Sequence, residues 1–186
     1  MDLSEIIKTR RTIHNYKTDL VDQKIINEAI HLGLFAPNHK KTFPWHFFSA
    51  GPESREKLAR LAIELKAQKS GEEISDVQVQ AMIKKYTEPS HLLLVAIKRA
   101  HEPIQQKEDY ASLACAIQNM SLFLWEHNIG AKWSTGGPTM SKKTYELLNI
   151  SSEQYELCGF LWVGYPLNIP ALTERPAVKD IFHPLK

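Results

Sequence analysis

Residues 36–48 read APNHKKTFPWHFF. Pro37 ends the helical pattern before it, because a proline ring clashes with the previous turn and supplies no N–H. A core strand has no use for His39, Lys40 and Lys41, and a solvated loop has none for Phe43, Trp45, Phe47 and Phe48. A planar ligand with polar edges would use both groups. After Pro44 the run Trp45, His46, Phe47, Phe48 is rich in strand-forming aromatics. The stretch therefore predicts a helix end, a ligand-contacting loop and then a strand. The alternative is an ordinary helix-to-strand connection with an aromatic strand behind it.

Working outward on the amino side, Asp22 caps a helix in which Ile25, Ile26, Ala29, Ile30 and Gly33 recur at helical spacing. Before it, Asp2 and Glu5 resemble a capping box for a short first helix ending near Thr9. On the carboxyl side, Pro52 suits the first turn of a helix running to about residue 68, with Leu58, Leu61, Ala62 and Leu65 on one face. Residues 70–85 are polar and weakly periodic and read as a mobile excursion with a short helix, either a lid or a surface insertion. The run HLLLVAIK, residues 91–98, is apolar throughout, as in a strand buried on both faces. Residues 110–128 form the strongest helical pattern and are apolar nearly all round, which fits a core or a dimer interface. Residues 131–135 and 157–164 read as strands, Ser141 as the cap of a helix through Leu148, and the last twenty residues as an extended tail. Four strands and about six helices without a βαβ rhythm indicate an α+β fold with a mixed sheet.

A chain of 186 residues is long enough for one domain with a real core, so residues 1–186 are expected to form a single domain. With 23 basic and 21 acidic residues, the net charge of +2 lacks the excess expected of a nonspecific nucleic-acid binder. No apolar run approaches the roughly 20 residues of a membrane helix. The amino end is neither a signal nor a typical transit peptide, so a cytoplasmic location is expected. Cys115 and Cys158 lie in apolar runs and read as buried free thiols.

Arg10, Arg11 and Thr12 place two guanidinium groups and a hydroxyl just after a helix. A phosphate is a matching target, because arginine presents a planar fork of donors. The competing reading is that they neutralise the C-terminal end of that helix. The sequence has no G-x-G-x-x-G, no G-x-x-x-x-G-K-[ST], no H-E-x-x-H, no C-x-x-C and no G-x-S-x-G. A phosphate here would be held by side chains, and a metal centre is not expected.

Together these pieces resemble the nitroreductase family of FMN-dependent oxidoreductases over most of the chain. RRTIHNY from Arg10 is similar to the family's Arg-Arg-Ser/Thr-x-Arg-x-Phe/Tyr pattern, and APNHKKTFPWHFF to its Ala-Pro-Ser-x-x-Asn-x-Gln-Pro-Trp-x-Phe segment, most closely to short members with Ala-Pro-Asp-His-Lys. IGAKWSTGGP resembles the glycine-bounded strand beside the flavin, and FLWVGYP with ERPAVKDIF resembles the last core strand and C-terminal Arg-Pro segment. The resemblance implies a mainly antiparallel sheet flanked by helices in a domain-swapped homodimer, with two FMN sites built from both chains. By position, Arg10, Arg11 and Thr12 would hold the phosphate, with Arg175 a further partner. Asn38 and His39 would reach the flavin from the other subunit, and Trp133, Ser134, Thr135 and Gly136 would lie along the ring and ribityl chain. His14 stands in place of an arginine, Lys41 in place of a flavin-contacting Asn, and Phe43 in place of the usual Gln. The implied activity is ping-pong hydride transfer from NAD(P)H through FMN to nitroaromatic, quinone or similar acceptors, with no obligatory protein acid or base. A dedicated acceptor on the same fold, or an anion- or RNA-binding module, are the alternatives.

Overall fold

The computed structural model describes residues 2–185. At its centre lies a four-stranded sheet in the order β1-β2-β4-β3, from β1 (Trp45–Ser49), β2 (His91–Lys98), β3 (Gly130–Ser134) and β4 (Tyr155–Gly164). All three pairings are antiparallel, and the parallel contact is an isolated bridge between Thr12 and Ala131. The central strand β2 is apolar throughout because both its faces are covered. Leu93, Val95 and Ile97 face the core under α2 (Gln23–Gly33) and α5 (Pro103–Glu126). Leu92, Leu94 and Ala96 face the opposite core, which includes Leu58 of α3 (Pro52–Ser70) and Tyr86 of α4 (Asp76–Thr87). Between Val95 and Ala96 the register slips, leaving Cys158 as the extra residue of a bulge in β4. Gly159 follows at φ +153°, and a Cβ there would stand 2.2 Å from Trp133 Nε1, so the indole lies directly on the backbone.

The first and second helices form as read, α1 spanning Leu3–Thr9 and α2 capped by Asp22 Oδ1, which accepts from Lys24 N–H at 2.8 Å. The capping box does not form: Asp2 accepts from Ser4 Oγ at 2.6 Å, and its carboxylate caps no N–H of the helix. In place of an excursion, residues 76–87 form the regular helix α4, capped by Ser75 and anchored by Tyr86, which is 2% exposed. Its periodicity was weak because a single large residue on it is fully buried. Helix α5 starts at Pro103, seven residues before the apolar pattern, since its first turns are polar and solvent-facing. Cys158 is buried, and burial pushes its thiol up to about 12. Cys115 is exposed, contrary to its apolar sequence context, because it lies on the α5 face turned away from the sheet. A helix α6 (Lys142–Leu148) and a short α7 (Val178–Ile181) complete the set, the latter inside the otherwise extended tail.

Candidate functional site

Residues 10–16 lie along the outer edge of β3. Ile13 N–H donates to Ala131 O at 3.3 Å, Tyr16 forms a bridge to Pro166, and the Ile13 side chain is fully buried. Gly130 makes this approach possible, for a Cβ there would stand 2.3 Å from Ile13 Cγ1. Arg10 and Arg11 are thereby half-buried at the end of α1, and Thr12 is exposed. Arg11 Nη1 donates to Lys8 O at 2.8 Å and to Arg10 O at 2.9 Å, so this residue does serve the helix C-terminus. Its Nε is buried with no partner. Arg10 makes no side-chain hydrogen bond or ion pair among the described residues. Burial, then Arg11, then Arg175 depress the Arg10 pKa. Arg11 and Arg175 thus both act on the Arg10 charge, none of the three is ion-paired among the described residues, and an unpaired buried donor is costly. An anion would relieve both.

Beyond Arg10 the chain advances at most about 13 Å to His14. There a second group of cations meets the inner face of α4. Lys132 Nζ stands 3.2 Å from His14 Nδ1, and the His14 pKa is lowered by burial, Lys132 and Lys85. Burial and the two lysines all favour the neutral imidazole, whose unprotonated Nδ1 is the form that can accept from the Lys132 ammonium. Lys85 lies 5.6 Å from the Trp162 ring centroid and 5.9 Å from that of Tyr86. Burial lowers its pKa, and burial with Lys85 lowers that of Lys132. Lys85 borders two clefts. One of about 460 Å³ holds His14, Lys84, Lys132 and Glu88. The other, of about 580 Å³, is bordered by Ser134, Gly136, Lys66 and Lys69 over a floor of Phe160 and Trp162, with no acidic residue in its lining.

Alternation along β3 divides the residues expected there. Ser134 faces the larger cleft and accepts from Trp162 Nε1 at 2.8 Å. Trp133 points to the other side of the sheet, donates to Cys158 O at 3.2 Å and packs 6.0 Å from Tyr110. The structure does not bring it to that cleft. Thr135 and Gly136 are exposed just past the strand. Neither Lys85 nor Lys132 stands out in the sequence, Lys85 because the pattern of its helix is only weakly periodic. The available signal was a lysine interrupting an apolar strand at 132 and a lysine pair before a buried strand at 84–85.

The turn at residues 39–41 stands elsewhere. His39, Lys40 and Lys41 are exposed, and φ is +57° at Lys40, +54° at Lys41 and +45° at Phe43. Left-handed backbone at residues with a Cβ costs on the order of 1 to 2 kcal/mol each. Asn38 does not project outward: Oδ1 accepts from Phe43 N–H at 2.8 Å and Nδ2 donates to Thr42 Oγ1 at 2.9 Å. Thr42 in turn donates to Asp109, near the start of α5, whereas Thr9 beside Arg10 accepts from Trp125 near its end. Sixteen helical residues separate those anchors, about 24 Å. Within one chain, the turn and the arginines are at opposite ends of α5.

A family model described as "Nitroreductase family" matches residues 7–165. The chain belongs to the nitroreductase family. A Bacillus subtilis relative named "Putative NAD(P)H nitroreductase YfhC" is 24% identical, the match covering 97% of this chain and 92% of that protein. A nitroreductase-like family protein from Bacillus cereus has a similar solved structure, with a TM-score of 0.86 at 23% identity, covering all of this chain and 97% of the other. Iodotyrosine deiodinase, solved with FMN and 3-iodo-L-tyrosine, shares the fold with a TM-score of 0.75 at 21% identity over 95% and 96% of the two chains. The antiparallel sheet with flanking helices is thus the nitroreductase fold. Among the described residues of this nitroreductase-family chain, no helix is long and apolar enough to cross a membrane.

Proposed function

We propose that this protein is an FMN-dependent oxidoreductase that uses NAD(P)H to reduce nitroaromatic, quinone or related electron-poor acceptors. The observation that carries this reading is the buried, unpartnered Arg11 Nε beside Arg10, whose charge Arg11 and Arg175 both crowd, with no ion pair to any of the three among the described residues. Those residues fit a phosphate monoester, and Thr12 adds a hydroxyl. From there the segment laid on the edge of β3 leads past His14, Lys132 and Lys85 toward Ser134 and Gly136, which suits the ribityl chain and the ring. FMN, when bound, supplies the centre that takes hydride from NAD(P)H and passes it to the acceptor. The protein's part is to orient the ring and to keep unpaired cations at its polar edge. Lys85 and Lys132, whose pKa values are already lowered, stabilise negative charge there more than solvated lysines would.

A second copy completes the site. Ile104, Ala111, Cys115 and Gln118 are exposed along one stripe of α5. A twofold axis crossing that stripe lays two α5 helices antiparallel, so the residue 39–41 turn of one chain approaches the arginine end of the other. The tail supplies a second surface, since Leu167, Ile169, Leu172, Val178, Ile181 and Phe182 are each more than 60% exposed. In an arm that wraps the partner they would be covered. A short bismaleimide is expected to join two chains through Cys115 and to leave Cys115→Ser monomeric on a denaturing gel; no joined species in the wild type counts against α5 pairing.

The cheap test of the activity is reconstitution. Purified protein should retain one FMN per chain, oxidise NADH or NADPH, and pass the electrons to a nitroaromatic or quinone. A colourless protein that rejects added FMN and binds RNA would support an anion-binding module instead. The similarity to iodotyrosine deiodinase favours one further reading of the same site, a dedicated acceptor for which nitroreduction is incidental.

A further inference from the structure

Asp109 lies in the second turn of α5, is 2% exposed and forms no ion pair among the described residues. Lys98, Arg99 and His101 border the same cleft, yet the carboxylate is engaged by none of them. Its partner is the Thr42 hydroxyl, which donates to Oδ1 at 2.5 Å. Thr42 Oγ1 accepts from Asn38 Nδ2 at 2.9 Å, and Asn38 Oδ1 accepts from Phe43 N–H at 2.8 Å. Three residues along the helix, Ser112 Oγ donates to Pro37 O at 2.6 Å. Two side chains of one rigid helix therefore tie both ends of residues 37–43, and the left-handed Lys40 and Lys41 lie between the ties. A buried carboxylate kept for a single neutral donor is expensive unless the geometry it imposes is needed.

We infer that Asp109 is a positioning residue. Through Thr42 and Asn38 it holds the residue 39–41 turn in the shape that completes the flavin site of the partner copy. This rests on the flavin reading above. The loop has no glycine at its left-handed positions, so without the tie Lys40 and Lys41 relax to right-handed or extended backbone. That relaxation swings His39 and Lys41 away from any fixed ligand. Because Asp109 and the exposed stripe share α5, the turn is also set by the same helix that would face the second copy.

The test uses full-length Thr42→Val, which removes the hydroxyl at nearly constant volume, with Thr42→Ser as rescue and Asp109→Leu as a second break that leaves Thr42 no acceptor. Trypsin cleavage after Lys40 and Lys41 reports the turn directly, without flavin. Thr42→Val should be cut there about tenfold faster than wild type, through a local opening that leaves the thermal midpoint within a few degrees. It should also bind FMN about tenfold more weakly with a shifted flavin absorption band, as expected when a contact is misplaced. Thr42→Ser should restore both. Unchanged cleavage overturns the inference, and so does faster cleavage with unaltered FMN binding and spectrum. A wild type that binds no FMN sinks the flavin reading and this role with it; flavin-competent wild type beside an indifferent variant overturns the clamp alone.

Discussion

Replacing Arg10 and Arg11 together by alanine should release FMN from an otherwise folded protein. Each charge-assisted hydrogen bond to an anion contributes about 1.5 to 3 kcal/mol, so losing two raises the Kd for FMN by about 10²- to 10⁴-fold. Stability should change little. Arg10 is crowded by Arg11 and Arg175 and has no protein partner among the described residues, so its removal relieves repulsion. Arg11 gives up bonds to Lys8 O and Arg10 O, a cost that the relief partly offsets. The measurements are fluorescence titration with FMN and the thermal midpoint of the flavin-free protein. Unchanged flavin content in the double variant would remove the phosphate assignment, and collapse of the fold would move these residues from ligand binding to structure.

Gly130→Ala should damage the same site from behind. Its new Cβ would stand 2.3 Å from Ile13 Cγ1, 2.8 Å from Ile13 Cβ and 3.2 Å from Pro166 Cγ. Ile13 is fully buried and cannot step aside, so the edge segment carrying Arg10 through His14 must lift from β3. Overpacking of this kind costs about 1 to 3 kcal/mol. At about 2 to 4 °C per kcal/mol for a chain of this size, the midpoint should fall by about 2 to 12 °C. Lifting the segment also moves both cation groups, so FMN affinity should drop with stability. Gly51→Ala is the control, because nothing lies within 4 Å of a Cβ there. An unaltered FMN affinity in Gly130→Ala would mean that the segment does not carry the cofactor.

The legible parts of the fold were those with a local cause. The apolar run of β2 announced a doubly covered strand, Asp22 and Ser141 announced helix starts, and both caps are made by the side chains expected. The weak pattern of α4 hid an ordered helix, because Tyr86 holds it with one large buried ring where periodicity counting needs several residues. Cys115 shows the converse failure: an apolar neighbourhood in sequence says that a helix has little polar surface, not which side the sheet occupies.

The candidate site divides the same way. Arginine chemistry and the order of the four motifs are properties of the chain written out, and they suffice for the nitroreductase family. From the sequence by itself come the α+β character, the helix-loop-strand at residues 36–48 and the arginine pair at 10–11 proposed to hold a phosphate. Only the tertiary structure decides that Lys85 and Lys132 stand beside His14, that Trp133 turns away from Ser134, and that Asp109 holds the loop of Asn38 and Thr42. The reason is distance along the chain. A cap or a strand is settled by neighbours a few residues away, whereas Trp133 meets Cys158 across 25 residues, Thr42 meets Asp109 across 67 and His14 meets Lys132 across 118.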